Sequence, residues 1–296
     1  MILLKALLLR KRSLVLGLFA LLAGLQVGTL ATAQGNDLIN AATEGDLINV
    51  KARLKENPNL ISSRNDHGVT PLYAAAFACH KEIVAFLLAN GAEANAKGNS
   101  GGTALQAGAQ NGCLDVVQAL LDAKADVNSK ADHDFTALML ASKDGHADVV
   151  RVLLAEGAEV NAKLDLGVTA LIFASQNGHL DAVRELLAAA ADANVQAERF
   201  HGVTALMLAS ENGHVDVVRA LIGAKADPNA KLTNNGYTAL IWASENGHAE
   251  VVQALLDAKA NLNAADNSGK TALQVASLNG HQEVVQILRR AGAAER

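Results

Sequence analysis

Apolar and polar residues follow a pattern that repeats about every 33 residues through most of the chain. Each copy opens with Thr, then Ala or Pro, then Leu. The seven copies begin at Thr70, Thr103, Thr136, Thr169, Thr204, Thr238 and Thr271, with successive spacings of 33, 33, 33, 35, 34 and 33 residues. A fixed period of this length predicts an array of similar supersecondary units stacked on one another.

Within one copy, the apolar positions predict two short helices. In the copy that begins at Thr136, the threonine is expected to cap the first helix, and Gly145 permits the left-handed turn that ends it. A second amphipathic stretch covers residues 148–154 and ends at Gly157. Because neither helix can bury its apolar face alone, the pattern predicts stacking of neighbouring units and cooperative folding.

Alignment on the threonines divides the chain into eight units within a domain expected over residues 34–296. The first unit lacks the Thr-Pro-Leu start, as expected for an end unit whose outer face meets water. The units are 36–64, 65–97, 98–130, 131–163, 164–198, 199–232, 233–265 and 266–296, with the first and last acting as caps.

These units resemble ankyrin repeats. The segment from Asp66 to Ala76 reads Asp-His-Gly-Val-Thr-Pro-Leu-Tyr-Ala-Ala-Ala, and the match runs from about Asn36 to Gly292. The chain departs from the family pattern by Ala for Pro in six copies, by the missing His after Leu, and by Asp134 in place of a finger glycine. The resemblance implies an all-α repeat solenoid of stacked helix-turn-helix units with β-hairpin-like finger loops.

The first 33 residues differ from the repeats. A basic segment that includes Lys5 and Arg10 precedes an almost entirely apolar run over residues 13–30, and an Ala-Thr-Ala sequence ends at Ala33. These are the marks of a secretory signal peptide, so we expect cleavage after Ala33 and a periplasmic or secreted location. An uncleaved membrane anchor is the alternative, since the apolar run approaches the length that spans a bilayer.

Charge and motif content limit the classes of function. The formal net charge is −5, and removal of the predicted leader, with its four basic and no acidic residues, makes it −9. An acidic chain without a basic stripe argues against nucleic acid. No nucleophile–base pair or phosphate-binding loop accompanies the repeats, so we expect no enzymatic activity, cofactor or metal. Membrane contact is expected only through the N-terminal segment, if it is uncleaved.

Two cysteines occupy neighbouring repeats. Cys79 stands where other copies have Gly, and Cys113 stands where other copies have His. Stacked helices lie about 8–10 Å apart, whereas a disulfide requires Cα atoms within about 7 Å, so this spacing favours free thiols. An oxidising compartment would permit a disulfide, which is the alternative.

Six histidines recur at one position of the repeat: His80, His146, His179, His214, His248 and His281. Neighbours in this series are expected about 10 Å apart, too far to share a zinc ion with bonds near 2 Å. We therefore expect each imidazole to bond the adjoining turn.

The expected partner-binding face combines finger loops with the ends of the first helices, where partners of similar proteins dock. Insertions near residues 198–200 and 232–235 fall in the same fingers, as binding-face insertions do. Phe173 and Trp242 are expected in the core between repeats. The expected apolar anchors are Phe135, Leu166, Val168, Phe200, Val203 and Tyr237, and the expected polar contacts are Lys143, Asp144, Gln176, Asn177, Glu211, Asn212, Glu245 and Asn246.

Packing of the finger aromatics against neighbouring fingers is the alternative to a role as anchors. Taken together, the sequence predicts an exported, non-enzymatic scaffold or adaptor that binds a protein through a concave face. Two alternatives share this fold: a periplasmic accessory protein that supports an enzyme or oxidative-stress defence, and a secreted effector that binds host proteins.

Overall fold

The computed structural model describes residues 30–294, which form short α-helices joined by turns and contain no β-strand. The leader predicted over residues 1–33 lies outside the residues whose side chains are described. The α-helices of the described range are α1 (Leu30–Glu44), α2 (Leu47–Glu56), α3 (Pro71–Phe77), α4 (Lys81–Ala89), α5 (Ala104–Gln110), α6 (Leu114–Asp122), α7 (Ala137–Asp144), α8 (Ala147–Ala155), α9 (Ala170–Gln176), α10 (Leu180–Ala188), α11 (Ala205–Glu211), α12 (Val215–Gly223), α13 (Ala239–Glu245), α14 (Ala249–Asp257), α15 (Ala272–Leu278) and α16 (Gln282–Arg290).

The chain divides into two compact units. The N-terminal unit contains described residues 30–108 and 115–126, and the C-terminal unit contains 109–114 and 127–294. In the N-terminal unit, α1 packs against α2 and α3, and α3 packs against α4. Fully buried Leu38, Val50 and Val84 belong to the core of this unit.

The C-terminal unit contains five helix pairs, from α7–α8 to α15–α16. Each first helix packs against the first helix of the next pair, and each second helix packs against the next second helix. The predicted fold of stacked helix pairs is therefore confirmed. Phe173 on α9 and Trp242 on α13 are 1% and 4% exposed, which confirms their expected place in the core.

Local signals in the sequence end and begin the helices as predicted. The Thr136 hydroxyl accepts a hydrogen bond from the Met139 N–H at 3.3 Å and caps α7. Gly145 ends α7 with a φ of 83°, in the left-handed region that glycine enters without strain. The two finger segments with isolated antiparallel bridges pair Ala197 with Val203 and Ala265 with Thr271, consistent with hairpin-like loops.

Both cysteines are disulfide-bonded, and the chain has no third cysteine. The preference for free thiols was therefore wrong. That preference was based on the distance between the axes of stacked helices. Both cysteines lie outside the helices, in turns, so this distance does not determine how far apart they are. Cys79 stands between α3 and α4 with a φ of 62°, and Cys113 immediately precedes α6.

Candidate protein-binding face

Threonine caps set the start of every first helix from α7 to α15 in the C-terminal unit. The hydroxyls of Thr169, Thr204 and Thr238 accept the backbone N–H three residues later, at 3.3–3.4 Å. Thr271 adds a capping box, in which the Gln274 side chain accepts the Thr271 N–H at 2.9 Å. Each first helix starts directly after its threonine. The seventh and eighth residues after the threonine therefore occupy equivalent positions, at the end of the helix, in every repeat.

The histidine series connects these helix ends from one repeat to the next. Each Nε2 lies within hydrogen-bond distance of a carbonyl oxygen in the preceding repeat. The expectation that the imidazoles bond the turn region is confirmed, but the acceptor belongs to the last turn of the neighbouring first helix. The pairs within the C-terminal unit are His146–Gln110 (2.9 Å), His179–Lys143 (3.0 Å), His214–Gln176 (3.1 Å), His248–Glu211 (3.0 Å) and His281–Glu245 (2.9 Å).

The predicted polar residues form a continuous set along these helix ends, which we call the helix-end strip. Its members are Lys143, Asp144, Gln176, Asn177, Glu211, Asn212, Glu245 and Asn246. Lys143 and Asp144 are half-buried and form an ion pair at 3.6 Å. Glu211 is only 5% exposed, whereas Glu245, at the equivalent place of the next repeat, is half-buried.

The asparagines of the strip also cap helices. The side-chain amides of Asn177, Asn212 and Asn246 donate to the carbonyl four residues earlier, at 3.0, 2.7 and 2.9 Å. Each of these carbonyls also accepts the backbone N–H of the same asparagine, so main chain and side chain together close the helix end. These asparagines therefore present a fixed side-chain orientation on the strip.

Four of the six predicted apolar anchors keep accessible surface. Phe135, Leu166, Phe200 and Tyr237 are half-buried. Phe135 stacks on Phe173 of the next repeat, with ring centroids 5.8 Å apart and an angle of 25° between planes. Phe135 therefore packs on the next repeat and still keeps surface that a partner can contact.

Val168 and Val203 are buried, at 2% and 1% exposed, and present almost no surface to a partner. They precede their threonines as Phe135 and Tyr237 do. In these two repeats the valine lies in the core, whereas the larger rings of Phe135 and Tyr237 keep accessible surface. We therefore leave both valines out of the accessible face.

The pKa values of Glu245, in the helix-end strip, and of Tyr237, beside it, are both raised. The Tyr237 ring meets Trp242 edge-on, with centroids 6.5 Å apart, and its hydroxyl lies close to the Glu245 carboxylate. Burial raises the pKa of Glu245, the nearby Glu211 carboxylate raises it further, and the Tyr237 hydroxyl offsets part of the rise. Burial, followed by the charges of Glu245 and Asp266, also raises the pKa of Tyr237.

Within residues 30–294, no group of three or more metal-ligating side chains is suitably placed to hold a metal ion. No helix of that same range has both the length and the apolar character needed to cross a membrane. The serines at equivalent places on α7, α9, α11 and α13 are fully buried, as expected of packing residues: Ser142, Ser175, Ser210 and Ser244.

Comparison with known families identifies the repeat. The family described as "Ankyrin repeats (3 copies)" matches this chain over residues 38–131, 98–164, 138–232 and 206–295, which together cover nearly all of the described chain. The chain belongs to the ankyrin-repeat family. Ankyrin repeats imply a protein-binding scaffold, as the sequence predicted.

One similar segment comes from a plant protein. The chain is 40% identical over 67 residues to the E3 ubiquitin-protein ligase XBAT33 of Arabidopsis thaliana. The match covers 22% of this chain and 13% of the plant protein. A similarity over so small a part of the plant protein carries none of its activity to this ankyrin-repeat chain.

The sequence reasoning missed a second connection between the ankyrin repeats, made by asparagines in the loops after the second helices. Asn194 donates to the Lys225 carbonyl at 3.1 Å and accepts the Asp227 N–H at 2.7 Å, both in the next repeat. Asn128 makes the equivalent bonds to Gly157 and Glu159. The sequence does contain the pattern that could have predicted these bonds, because an asparagine recurs at this position in successive repeats.

Proposed function

We propose that this protein is a non-enzymatic scaffold whose C-terminal unit binds a protein partner. The contact face consists of the helix-end strip together with the half-buried finger residues Phe135, Leu166, Phe200 and Tyr237. Its identity as an ankyrin-repeat protein supports the class of function, and the arrangement of the side chains supports the location of the face.

The observation that carries the proposal is the fixed backbone of the strip. Lys143, Gln176, Glu211 and Glu245 each have their carbonyl oxygen bonded by a histidine of the following repeat. Side chains on such a backbone are already arranged before a partner arrives. Binding then costs little additional ordering, which favours affinity.

A capture experiment tests this face. The purified chain is immobilised and exposed to proteins of the compartment in which it resides, beside a Phe135→Ala/Tyr237→Ala variant. The matched control is Arg184→Ala/Arg219→Ala, which alters two exposed residues on the second helices. We expect a protein that the wild type and the control retain and that the aromatic variant binds at least tenfold more weakly.

Equal affinity of all three chains for the retained protein would contradict the proposed face. Because Phe135 also packs on Phe173, thermal unfolding of each variant accompanies the measurement. Another variant, Gln176→Arg, places a larger side chain on the helix-end strip without removing a core contact. It is expected to weaken binding of the same partner.

We also propose that the protein resides in an oxidising compartment, the periplasm or the outside of the cell. The disulfide-bonded state of both cysteines supports this, since disulfides persist mainly in such compartments. Cell fractionation and mass spectrometry of the N-terminus test the proposal. A cytoplasmic protein that retains Met1 would contradict both the location and the predicted cleavage after Ala33.

A further inference from the structure

The last two first helices, α13 and α15, pack on each other and carry an acidic and an apolar residue at equivalent positions of the face described above. Glu245 and Leu278 occupy equivalent places in successive repeats. The Glu245 carbonyl accepts hydrogen bonds from Asn279 Nδ2 at 3.0 Å and from His281 Nε2 at 2.9 Å. These two bonds hold the end of α13 against the turn that follows Leu278.

Leu278 is an unusual residue for its place. It is 70% exposed. The preceding repeats of the C-terminal unit have Gln110, Lys143, Gln176, Glu211 and Glu245 at that position. A single exposed leucine is common on protein surfaces, but this one extends a strip that is otherwise polar. The strip therefore ends in an apolar side chain beside a carboxylate.

Tyr237 borders the carboxylate on the finger side. Its ring is half-buried and rests edge-on against Trp242, a core residue on α13. Its hydroxyl lies close to the carboxylate of Glu245, three residues beyond that tryptophan. The aromatic ring is thus held at a fixed position next to the acidic group.

The charges at this end of the strip are not balanced within the chain. Among residues 30–294, no lysine, arginine or histidine forms an ion pair with Glu245, and the nearest interacting acid, Glu211, has the same sign. At the opposite end of the strip, Lys143 is already paired with Asp144. The described residues 127–294 carry 13 Lys and Arg against 19 Asp and Glu.

Nearby basic residues are engaged elsewhere. Lys231 Nζ donates to the Ala265 carbonyl at 3.3 Å, and the Lys270 side chain interacts electrostatically with Asp266, whose carboxylate also accepts the Lys270 backbone N–H at 2.8 Å. A half-buried carboxylate without a cation has lost part of its hydration, and the Tyr237 hydroxyl offsets only part of that loss. A cationic group from another molecule would supply that compensation.

We propose that Tyr237, Glu245 and Leu278 form a subsite that takes a basic side chain and an adjacent apolar side chain from the protein partner. This inference rests on the proposed protein-binding function and specifies the chemistry of the partner. Arginine suits the subsite better than lysine, because a planar guanidinium bonds a carboxylate and stacks on an aromatic ring. Leu278 provides the surface for the apolar neighbour.

Selection of peptides from a random 12-residue phage library tests the subsite on the purified chain. The test variant is Glu245→Gln. The matched control is Glu250→Gln, which makes the same change of charge at an exposed position of α14 in the same repeat. We expect wild type and control to enrich peptides in which Arg or Lys neighbours an apolar residue, and Glu245→Gln to bind those peptides about tenfold more weakly.

Two further variants separate the parts of the subsite. Leu278→Gln restores the polar character of the other repeats and is expected to remove the preference for the apolar neighbour while keeping the basic one. Tyr237→Phe keeps the ring and removes the hydroxyl, so it is expected to retain the basic preference.

Enriched peptides without basic residues, or peptides that bind Glu245→Gln as well as they bind wild type, would overturn the subsite and leave the protein-binding face intact. An absence of enriched peptides would also overturn the subsite. The capture experiment with whole proteins then decides separately whether the larger face binds a partner.

Discussion

The imidazole Nε2 of His214 lies 3.1 Å from the carbonyl oxygen of Gln176, in the last turn of the preceding first helix. The same ring lies over Gly178, where an added Cβ would come within 2.7 Å of it. One histidine thus bonds one repeat and packs on its turn while standing at the start of the next second helix, α12. Bonds of this kind couple the repeats and fix the helix-end strip.

Replacement of His214 by Ala is expected to lower the free energy of unfolding by about 1–2 kcal/mol, because a part-buried inter-repeat hydrogen bond and its packing are lost. Chemical denaturation of the purified chain measures the change. His201→Asn is the control, since His201 is an exposed finger residue with a φ of 60°, which asparagine tolerates. Equal loss in both variants would show that the inter-repeat bond contributes nothing.

Acid is expected to weaken the fold through the same histidine. Burial lowers the pKa of His214 below 6.5, the Gln176 bond opposes this, and neighbouring His179 and His248 lower it further. The folded chain therefore binds fewer protons at this site than the unfolded chain, so the stability present above pH 6.5 is lost as the pH falls through the folded pKa. Denaturation from pH 7.5 to 5 should show wild type losing stability relative to His214→Gln, and parallel curves would refute this.

Glu245→Gln is expected to stabilise the fold at pH 7 even as it weakens binding. The pKa of Glu245 is raised, so its ionised form disfavours the folded state once the pH rises through the folded pKa. The advantage of the glutamine variant should shrink as the pH falls toward 4.5 and the wild-type carboxyl becomes protonated. Urea denaturation at pH 7 and pH 4 tests this, with Glu250→Gln as control; a variant less stable than wild type at pH 7 would contradict it.

Ser175→Ala is expected to be neutral or stabilising by up to about 1 kcal/mol. The hydroxyls of Ser142, Ser175, Ser210 and Ser244 are buried without a hydrogen-bond partner among the described residues, and such groups are costly. Ala109 occupies the equivalent place in an earlier repeat. Thr169→Ala, six residues earlier, removes a cap and should instead destabilise by about 1 kcal/mol. Thermal unfolding should shift in opposite directions, and a clear loss in Ser175→Ala would disprove the argument.

Asn194→Asp is expected to destabilise by about 1–2 kcal/mol, because an aspartate still accepts the Asp227 N–H but cannot donate to the Lys225 carbonyl. Asn263→Asp provides the control, since Asn263 is exposed and lies in the loop leading to the last repeat. Its effect should stay within about 0.5 kcal/mol. Chemical denaturation of both variants makes the comparison, and equal effects would argue against a special role for Asn194.

The positions of the helices could be predicted because their signals are local. Thr136 caps α7 and Gly145 ends it through properties that depend on a few neighbouring residues, and the period of the apolar positions then predicts stacking. The burial of Phe173 and Trp242 in the core could be predicted for the same reason, because both occupy a position that is apolar in every repeat.

Accessibility at the binding face depended instead on the tertiary structure. Val168 and Phe135 stand at equivalent sequence positions, yet only the aromatic ring extends beyond the core to the surface. Glu211 is buried and Glu245 is half-buried at equivalent places, because each lies among different side chains from adjoining repeats. The repeat therefore determined by itself the helix pairs and their stacking, whereas packing between repeats decided which side chains a partner can reach.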